Sequence, residues 1–185
     1  TRIGFYRSEA AYSPDVLQEV KADDLSGMFQ AVDGGYQGSG GDDDRLFAGS
    51  TDWDDYEVSL NVRIPQELSG EASVLVRTTN ESVFPSQVTE SFMGYGITLS
   101  DGQVQLQKFN YDYMTLTSAS IDTEPGQTVP LRIRLDGSRI RVYWNNAPEP
   151  VIDYTDPNAF FHGRVGLRSQ QSTFAFTDMS VKTAK

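Results

Sequence analysis

The chain has 185 residues, 15 basic and 26 acidic residues, a formal net charge of −11 and no cysteine. This length fits one domain that buries a full core on its own, and the lack of cysteine excludes disulfides and thiolate metal sites. The acidic balance argues against nucleic acid and anionic membrane surfaces as partners, because both require a basic surface. No apolar run is long enough for membrane insertion.

The first residues differ in pattern from the rest of the chain. Residues 1–24 predict an edge strand and a linker, with a short helix over residues 14–22 that begins at a serine–proline pair. Residues 25–185 are predicted to form one β-sandwich binding domain. Because Thr1 is not followed by a signal-like apolar run, we expect a secreted module whose signal peptide lies outside this sequence.

Strand signals dominate from residue 46 onward. Residues 56–64 alternate apolar and polar side chains with a period of two, the pattern of a half-buried strand. Further predicted strands cover residues 72–77, 94–99, 104–109, 128–135, 139–144, 164–169 and 173–181. Helix signals are weak, with a single turn predicted over residues 154–161. Short strands joined by tight Gly-containing turns predict an all-β, antiparallel, two-sheet β-sandwich.

Two arginines stand at the ends of apolar runs. Arg77 and Arg168 are each followed by small polar residues. An arginine at a rigid strand end can form forked hydrogen bonds to vicinal sugar hydroxyls. Outward polar residues are also the ordinary outcome of an antiparallel sheet, so that alternative stays open.

The loop predicted over residues 109–114 contains Tyr111 and Tyr113. Exposed tyrosines are unusual, and aromatic rings stack on the apolar faces of sugars, so both are candidate ligand-binding residues. The alternative is that one of them closes the edge of the sandwich.

A series of short motifs over residues 26–181 occurs in a familiar order. These motifs are at residues 46–49, 53–57, 72–77, 94–95, 131–133, 136–143, 163–168 and 174–181. The series resembles the concanavalin-like jelly-roll modules of extracellular glycoside hydrolases, and it is most similar to family 66 carbohydrate-binding modules, the fructan-binding domains of levanases. The resemblance implies a monomeric, non-catalytic module that binds polysaccharide or oligosaccharide outside the cell.

The resemblance also implies a sugar pocket on one sheet. Glu57, Arg77 and Tyr95 match the family pattern, and we expect them to converge on one face with Arg168 nearby. Glu57 and Arg77 are out of phase with the core residues of their strands, which predicts that both point outward and pair across the sheet. The alternation of Tyr95 with Ile97 leaves a core position open for this tyrosine.

A calcium ion is a further candidate, because it requires only oxygen ligands. The candidate ligands are Asp42 and Asp44 in the glycine-rich segment 34–44, predicted to be a loop, and Asp178 near the end of the chain. The alternative is that these acids are only solvated.

Two other classes of function are alternatives to this one. A laminin-G-like adhesion domain, binding a protein or a cell-surface glycan, is the main alternative. A catalytic sandwich requires two carboxylates on facing positions, whereas Glu57 is the only carboxylate on its outward strand face. His162, the sole histidine, stands without a nucleophile motif. The sequence therefore predicts a binding domain that is not an enzyme.

Overall fold

The computed structural model describes residues 6–7, 29–80 and 92–184, which leaves the predicted helix over residues 14–22 outside the described residues. Fourteen β-strands make up the regular structure of the described part. They are β1 (Tyr6–Arg7), β2 (Gln30–Val32), β3 (Gly35–Gln37), β4 (Asp44–Ala48), β5 (Tyr56–Arg63), β6 (Glu71–Thr79), β7 (Met93–Ser100), β8 (Gln103–Asn110), β9 (Tyr113–Ser120), β10 (Thr128–Asp136), β11 (Arg139–Trp144), β12 (Ile152–Thr155), β13 (Arg164–Gln170) and β14 (Ala175–Thr183). In these residues no helix is both long and apolar enough to cross a membrane.

The strands form two sheets. One has eight strands in the order β12-β11-β10-β5-β14-β3-β2, with β1 added alongside β14, and the other has six in the order β4-β13-β6-β7-β8-β9. β1 is parallel to β14, and every other described pairing is antiparallel. The predicted antiparallel two-sheet sandwich is confirmed, while the division of the chain at residue 24 stays a prediction.

The core lies between the two sheets and follows from the period-two alternation. On β5, the side chains of Tyr56, Val58, Leu60 and Val62 are at most 4% exposed. They belong to one cluster with the inward side chains of the six-stranded sheet, such as Val74. Burying such a side chain contributes about 1.5–3 kcal/mol, so this alternation supplies the main driving force for the sandwich.

The observed strands match most of the predicted ones. β11 covers the predicted residues 139–144, and β5 ends one residue before the predicted limit. The prediction missed β9, because this edge strand is rich in Thr and Ser and lacks a clear apolar alternation. The glycine-rich segment 34–44 contains β3, and residues 154–161 contain the end of β12 and a turn rather than a helical turn.

Candidate functional site

The predicted convergence of Glu57 and Arg77 on one face is wrong. Glu57 lies on β5 in the eight-stranded sheet, whereas Arg77 lies on β6 in the six-stranded sheet. The two residues therefore belong to different layers of the sandwich and do not line one pocket on one sheet. The alternation within a strand predicts which of its residues share a face. It does not predict which strands pair, so it could not show that Glu57 and Arg77 belong to different sheets.

Glu57 points away from the core, and cations surround its carboxylate. Arg132 Nη1 and Arg134 Nη1, both on the neighbouring strand β10, lie 3.4 and 3.3 Å from Glu57 Oε2. Lys182 Nζ, on the other neighbouring strand β14, lies 3.5 Å from Oε1. The glutamate does pair with arginine across the sheet, but its partners are Arg132 and Arg134 instead of Arg77.

The expectation that Arg77 points outward is also wrong. A bulge interrupts the pairing of β6 with β7 between Val76 and Thr79, and Arg77 has a φ of 50°. A β-bulge inserts an extra residue and re-aims the side chains that follow it. The alternation of the strand is therefore lost at this point, and Arg77 is 0% exposed.

Four hydrogen bonds hold the buried guanidinium of Arg77. Nε donates to Asp54 O at 3.1 Å, Nη1 donates to Gly137 O at 2.5 Å and Phe160 O at 2.9 Å, and Nη2 donates to Asp55 Oδ1 at 3.0 Å. Burial lowers the pKa of Arg77, and nearby groups such as Asp55 partly offset that effect. One side chain thus ties together three loops at the same end of the sandwich.

The predicted place of Tyr95 on the sugar-binding face is wrong, because this residue occupies the core position that its alternation left open. Its side chain is 0% exposed, and its hydroxyl donates to Asp156 Oδ2 at 2.7 Å and accepts from Phe160 N at 3.0 Å. Asp156 Oδ2 also accepts from Lys108 Nζ at 2.6 Å. Burial, followed by the hydrogen bond to Asp156, raises the pKa of Tyr95 well above its ordinary value. This tyrosine positions the loop that follows β12.

Arg168 lies on the outer face of the six-stranded sheet. Its guanidinium carbon is 5.5 Å from the ring centroid of Phe109, and Nε lies 3.4 Å from Asp43 Oδ1. The Gln170 amide, in its hydrogen-bonded orientation, accepts from Arg168 Nη2 at 2.7 Å and donates to Glu71 at 2.9 Å. The side chain of Arg168 is 5% exposed, so these partners hold it in place.

A polar row continues from Arg168 across the same outer face. Ser73 Oγ and Thr98 Oγ1 are 2.8 Å apart, and Thr98 Oγ1 donates to Gln107 Oε1 at 2.7 Å. Gln107 Nε2 lies 3.5 Å from Gln105 Oε1. These residues alternate with core residues on three adjacent strands. The period-two pattern therefore predicts that they point outward, although the sequence analysis did not identify them as a group.

Tyr111 lies in the turn between β8 and β9, and Tyr113 begins β9. Tyr113 pairs with Phe109, and their ring centroids are 6.5 Å apart. Tyr113 is 55% exposed, whereas the hydroxyl of Tyr111 donates to Asn80 O at 2.7 Å. The structure therefore brings Arg168 and Tyr113 to opposite sides of Phe109 on one face, apart from Glu57 on the other sheet.

The candidate calcium ligands do not form one group. Asp44 accepts hydrogen bonds from Ser39 N at 2.7 Å and Ser39 Oγ at 2.9 Å, whereas Asp178 accepts from Asn61 at 3.2 Å. The carboxylate of Asp42 accepts from Gln171 at 3.2 Å. Within residues 29–80 and 92–184, no three histidine, aspartate or glutamate side chains are grouped closely enough to hold an ion.

These acids also lie far apart along the sheet. Residues 34–41 run alongside residues 171–178. Asp178 N donates to Gly34 O at one end of this pair of segments, and Gln171 N donates to Gly41 O at the other end. Seven residues separate these contacts, which is on the order of 20 Å at ~3.3 Å per residue. Asp178 and the Asp42–Asp44 loop cannot share a single ion.

The fold is similar to that of solved β-sandwich carbohydrate-recognition domains. The exoplasmic/lumenal domain of VIP36 in a form with Ca²⁺ and Man2 bound has a TM-score of 0.70 at 12% identity, covering 97% of this chain and 85% of that domain. The carbohydrate recognition domain of Emp46p, in its metal-free form, has a TM-score of 0.63 at 14% identity, covering 83% of this chain and 84% of that domain. These identities show a shared fold.

A bacterial module is similarly close in structure. The carbohydrate-binding module CBM66 from Bacillus subtilis superposes with a TM-score of 0.69 at 16% identity, covering 86% of this chain and 94% of the module. The predicted resemblance to concanavalin-like family 66 modules is confirmed at the level of the fold. No protein family model matches the chain.

A levanase is also similar in sequence. A levanase of Bacillus sp. (strain L7) is 30% identical to this chain over 127 residues. The match covers 68% of this chain but only 13% of the levanase. The similarity is therefore to one segment of a much longer enzyme.

The buried guanidinium of Arg77 generates a stability prediction. We expect Arg77→Met to lower the free energy of unfolding by about 3–5 kcal/mol, because it removes the buried guanidinium that donates to three carbonyls and to the Asp55 carboxylate. Urea denaturation of both proteins measures the loss. Arg139→Met is the matched control, since this arginine is 49% exposed and pairs only at the surface. Equal losses in the two variants would contradict the role given to Arg77.

The buried carboxylate of Asp156 generates a pH prediction. Burial raises the pKa of Asp156, but hydrogen bonds from Lys108, Tyr95 and Asn158 N outweigh it and hold the pKa below its ordinary value. Stability from the ionised form is thus fully present above the unfolded-state pKa of about 3.9 and is lost as the pH falls through the lower folded pKa.

We expect Asp156→Asn to flatten the dependence of the unfolding free energy on pH below about pH 4. Urea denaturation at a series of pH values measures the slope. Asp52→Asn serves as the control, because Asp52 is exposed. A wild-type slope in Asp156→Asn would show that Asp156 does not contribute to acid sensitivity.

Proposed function

We propose that the chain is a non-catalytic carbohydrate-binding module that attaches an extracellular glycoside hydrolase to a polysaccharide, with fructan as the first sugar to test. The observation that carries this proposal is the outer face of the six-stranded sheet, where Arg168, Phe109 and Tyr113 lie beside the polar row of Ser73, Thr98, Gln105 and Gln107. The levanase similarity supports the fructan choice and the secreted location.

The chemistry of this face suits a sugar. Sugar rings have apolar faces that stack on aromatic side chains, and their hydroxyls require planar groups that both donate and accept. Tyr113 supplies an exposed ring, and the half-buried Gln105 supplies an amide that both donates and accepts. Arg168 and Gln107 are buried and hold this face in position beneath the ligand. Because the polar row is already hydrogen-bonded, it is held in position before a ligand arrives, which lowers the entropy cost of binding.

The carboxylates support a non-catalytic role. A glycosidase directs two carboxylates at the scissile bond. Glu57 is instead surrounded by Arg132, Arg134 and Lys182, and Asp43 on the other outer face is engaged by Arg45 and Arg168. We infer that these acids organise arginines and perform no acid–base chemistry.

Calcium belongs to the proposal as a structural ion, supported by the Ca²⁺-bound forms of the VIP36 domain. The distance between the two groups of acids means that Asp178 and the Asp42–Asp44 loop would each need an ion of their own. A calcium-dependent surface that binds a protein would favour the alternative of a laminin-G-like adhesion domain.

Two adjacent residues of similar exposure test whether the outer face of the six-stranded sheet binds sugar. Tyr113 and Met114 are 55% and 58% exposed, but Met114 pairs with Lys108 and so lies on the opposite side of β9. We expect Tyr113→Ala to weaken binding of levan oligosaccharides by about two- to tenfold through lost stacking, and Met114→Ala to leave it unchanged. Titration calorimetry measures both affinities.

Arg168→Lys adds a second variant for the same face. It keeps the charge but removes the fork that contacts Asp43 and Gln170, so we expect both the affinity and the melting temperature to fall, because this side chain is only 5% exposed. Undiminished binding in both Tyr113→Ala and Arg168→Lys would place the sugar elsewhere, whereas failure of the wild type to bind any glycan on an array would overturn the function itself.

The proposed calcium ion can be tested by its effect on thermal stability. If calcium binds, a hundredfold excess over its Kd should raise the melting temperature by about 5 °C or more, and chelation should reverse the rise. Asp42→Asn and Asp178→Asn, measured separately, identify which acid is responsible. A melting temperature that is the same with calcium and with chelator would overturn the calcium proposal.

A further inference from the structure

The outer face of the eight-stranded sheet carries a local excess of positive charge. Arg132, Arg134 and Lys182 surround the single carboxylate of Glu57, whose side chain is 4% exposed. The cations are themselves accessible, with side chains 41%, 30% and 53% exposed. With Asp178, which lines the adjacent groove, three positive groups against two carboxylates leave a surplus of one charge, on a chain whose net charge is −11.

Arg132 also forms one end of a groove on this face. Its guanidinium carbon lies 3.8 Å from the ring centroid of Tyr143, a stacked arrangement. The groove has a volume of about 340 Å³ and continues past Ser59 and Asn146. This volume is within the range of roughly 300–1,000 Å³ that is usual for small-ligand sites.

The other end of the groove is chemically different. Asp178 and Asn61 line it, and Asn61 Nδ2 donates to Asp178 Oδ2 at 3.2 Å. A carboxylate repels an anion but accepts hydrogen bonds from hydroxyl groups. A ligand that satisfies both ends must therefore carry a negative group for Arg132 and hydroxyls for Asp178.

We propose that this groove binds an acidic saccharide, a sugar that bears a carboxylate, with the carboxylate at Arg132 and ring hydroxyls at Asp178 and Asn61. Arginine suits this ligand because its planar fork matches a carboxylate with two parallel hydrogen bonds. Stacking on Tyr143 holds the fork in one plane. The site is on the sheet opposite the face proposed for neutral sugar, so the two sites are separable by mutation.

The experiment compares an oligogalacturonate with its methyl ester, which has the same hydroxyls but no charge. We expect the wild-type chain to bind the free acid about tenfold or more tightly than the ester. Arg132→Ala should remove that difference, and Arg139→Ala, an arginine at the edge paired with Asp153, should keep it. Equal binding of acid and ester, or equal effects of the two substitutions, would overturn the proposal.

A second substitution distinguishes a sugar from an acidic peptide. Asp178 has a φ of 54°, so Asp178→Gly removes the carboxylate at a backbone conformation that glycine tolerates. It should weaken the oligogalacturonate, which loses a hydroxyl acceptor. For a polyglutamate peptide the same change removes only a repulsive charge. Tighter binding of both ligands to Asp178→Gly would overturn the sugar assignment in favour of an acidic protein segment.

These outcomes are independent of the neutral-sugar proposal. Tyr113→Ala lies on the other sheet and should leave binding of the acid unchanged. A chain that binds the acid but no neutral glycan would refute the neutral-sugar face alone, and the reverse result would refute this inference alone.

Discussion

The desolvated guanidinium of Arg77 is the constraint on which one end of the sandwich depends. A buried charge is tolerated only when hydrogen bonds replace the water it has lost. Here the replacements come from the entry to β5, the turn between β10 and β11, and the loop after β12. Since the first two belong to one sheet and Arg77 to the other, a single side chain fixes how the sheets meet at this end.

Much of the fold follows from the sequence because alternation is local. The period-two alternation of residues 56–64 is visible within that segment alone, and turn residues mark where strands end. The position of Arg77 was out of reach, because it depends on a bulge and a positive φ that arise only when β6 pairs with β7. Tyr95 was predicted on the sugar-binding face, but it lies in the core, the position that its alternation with Ile97 had left as the alternative. The outward direction of each residue in the polar row could have been predicted, since each alternates with core residues. Their alignment across three strands could not, because it depends on the register in which the strands pair.

The two outer faces differ in chemistry although the same kind of scaffold supports both. The six-stranded sheet offers an aromatic ring beside amides and hydroxyls that are already paired, which is suited to neutral hydroxyl-rich ligands. The eight-stranded sheet concentrates arginine and lysine about Glu57. Structural neighbours at 12–16% identity share the scaffold, and function on such a scaffold is decided by the side chains of each face.

The polar sequence of β9 affects how neighbouring copies of the chain associate when they are close together. This strand ends the six-stranded sheet, and unpaired strand edges invite further strands from other molecules. Adsorption to a polymer would raise the local protein concentration and bring such edges together. The hydroxyl-rich sequence of β9 and the irregular register between Leu106 and Gln107 make a poor template for this addition. The residues that hid β9 from prediction thus favour molecules that remain separate on a densely occupied surface.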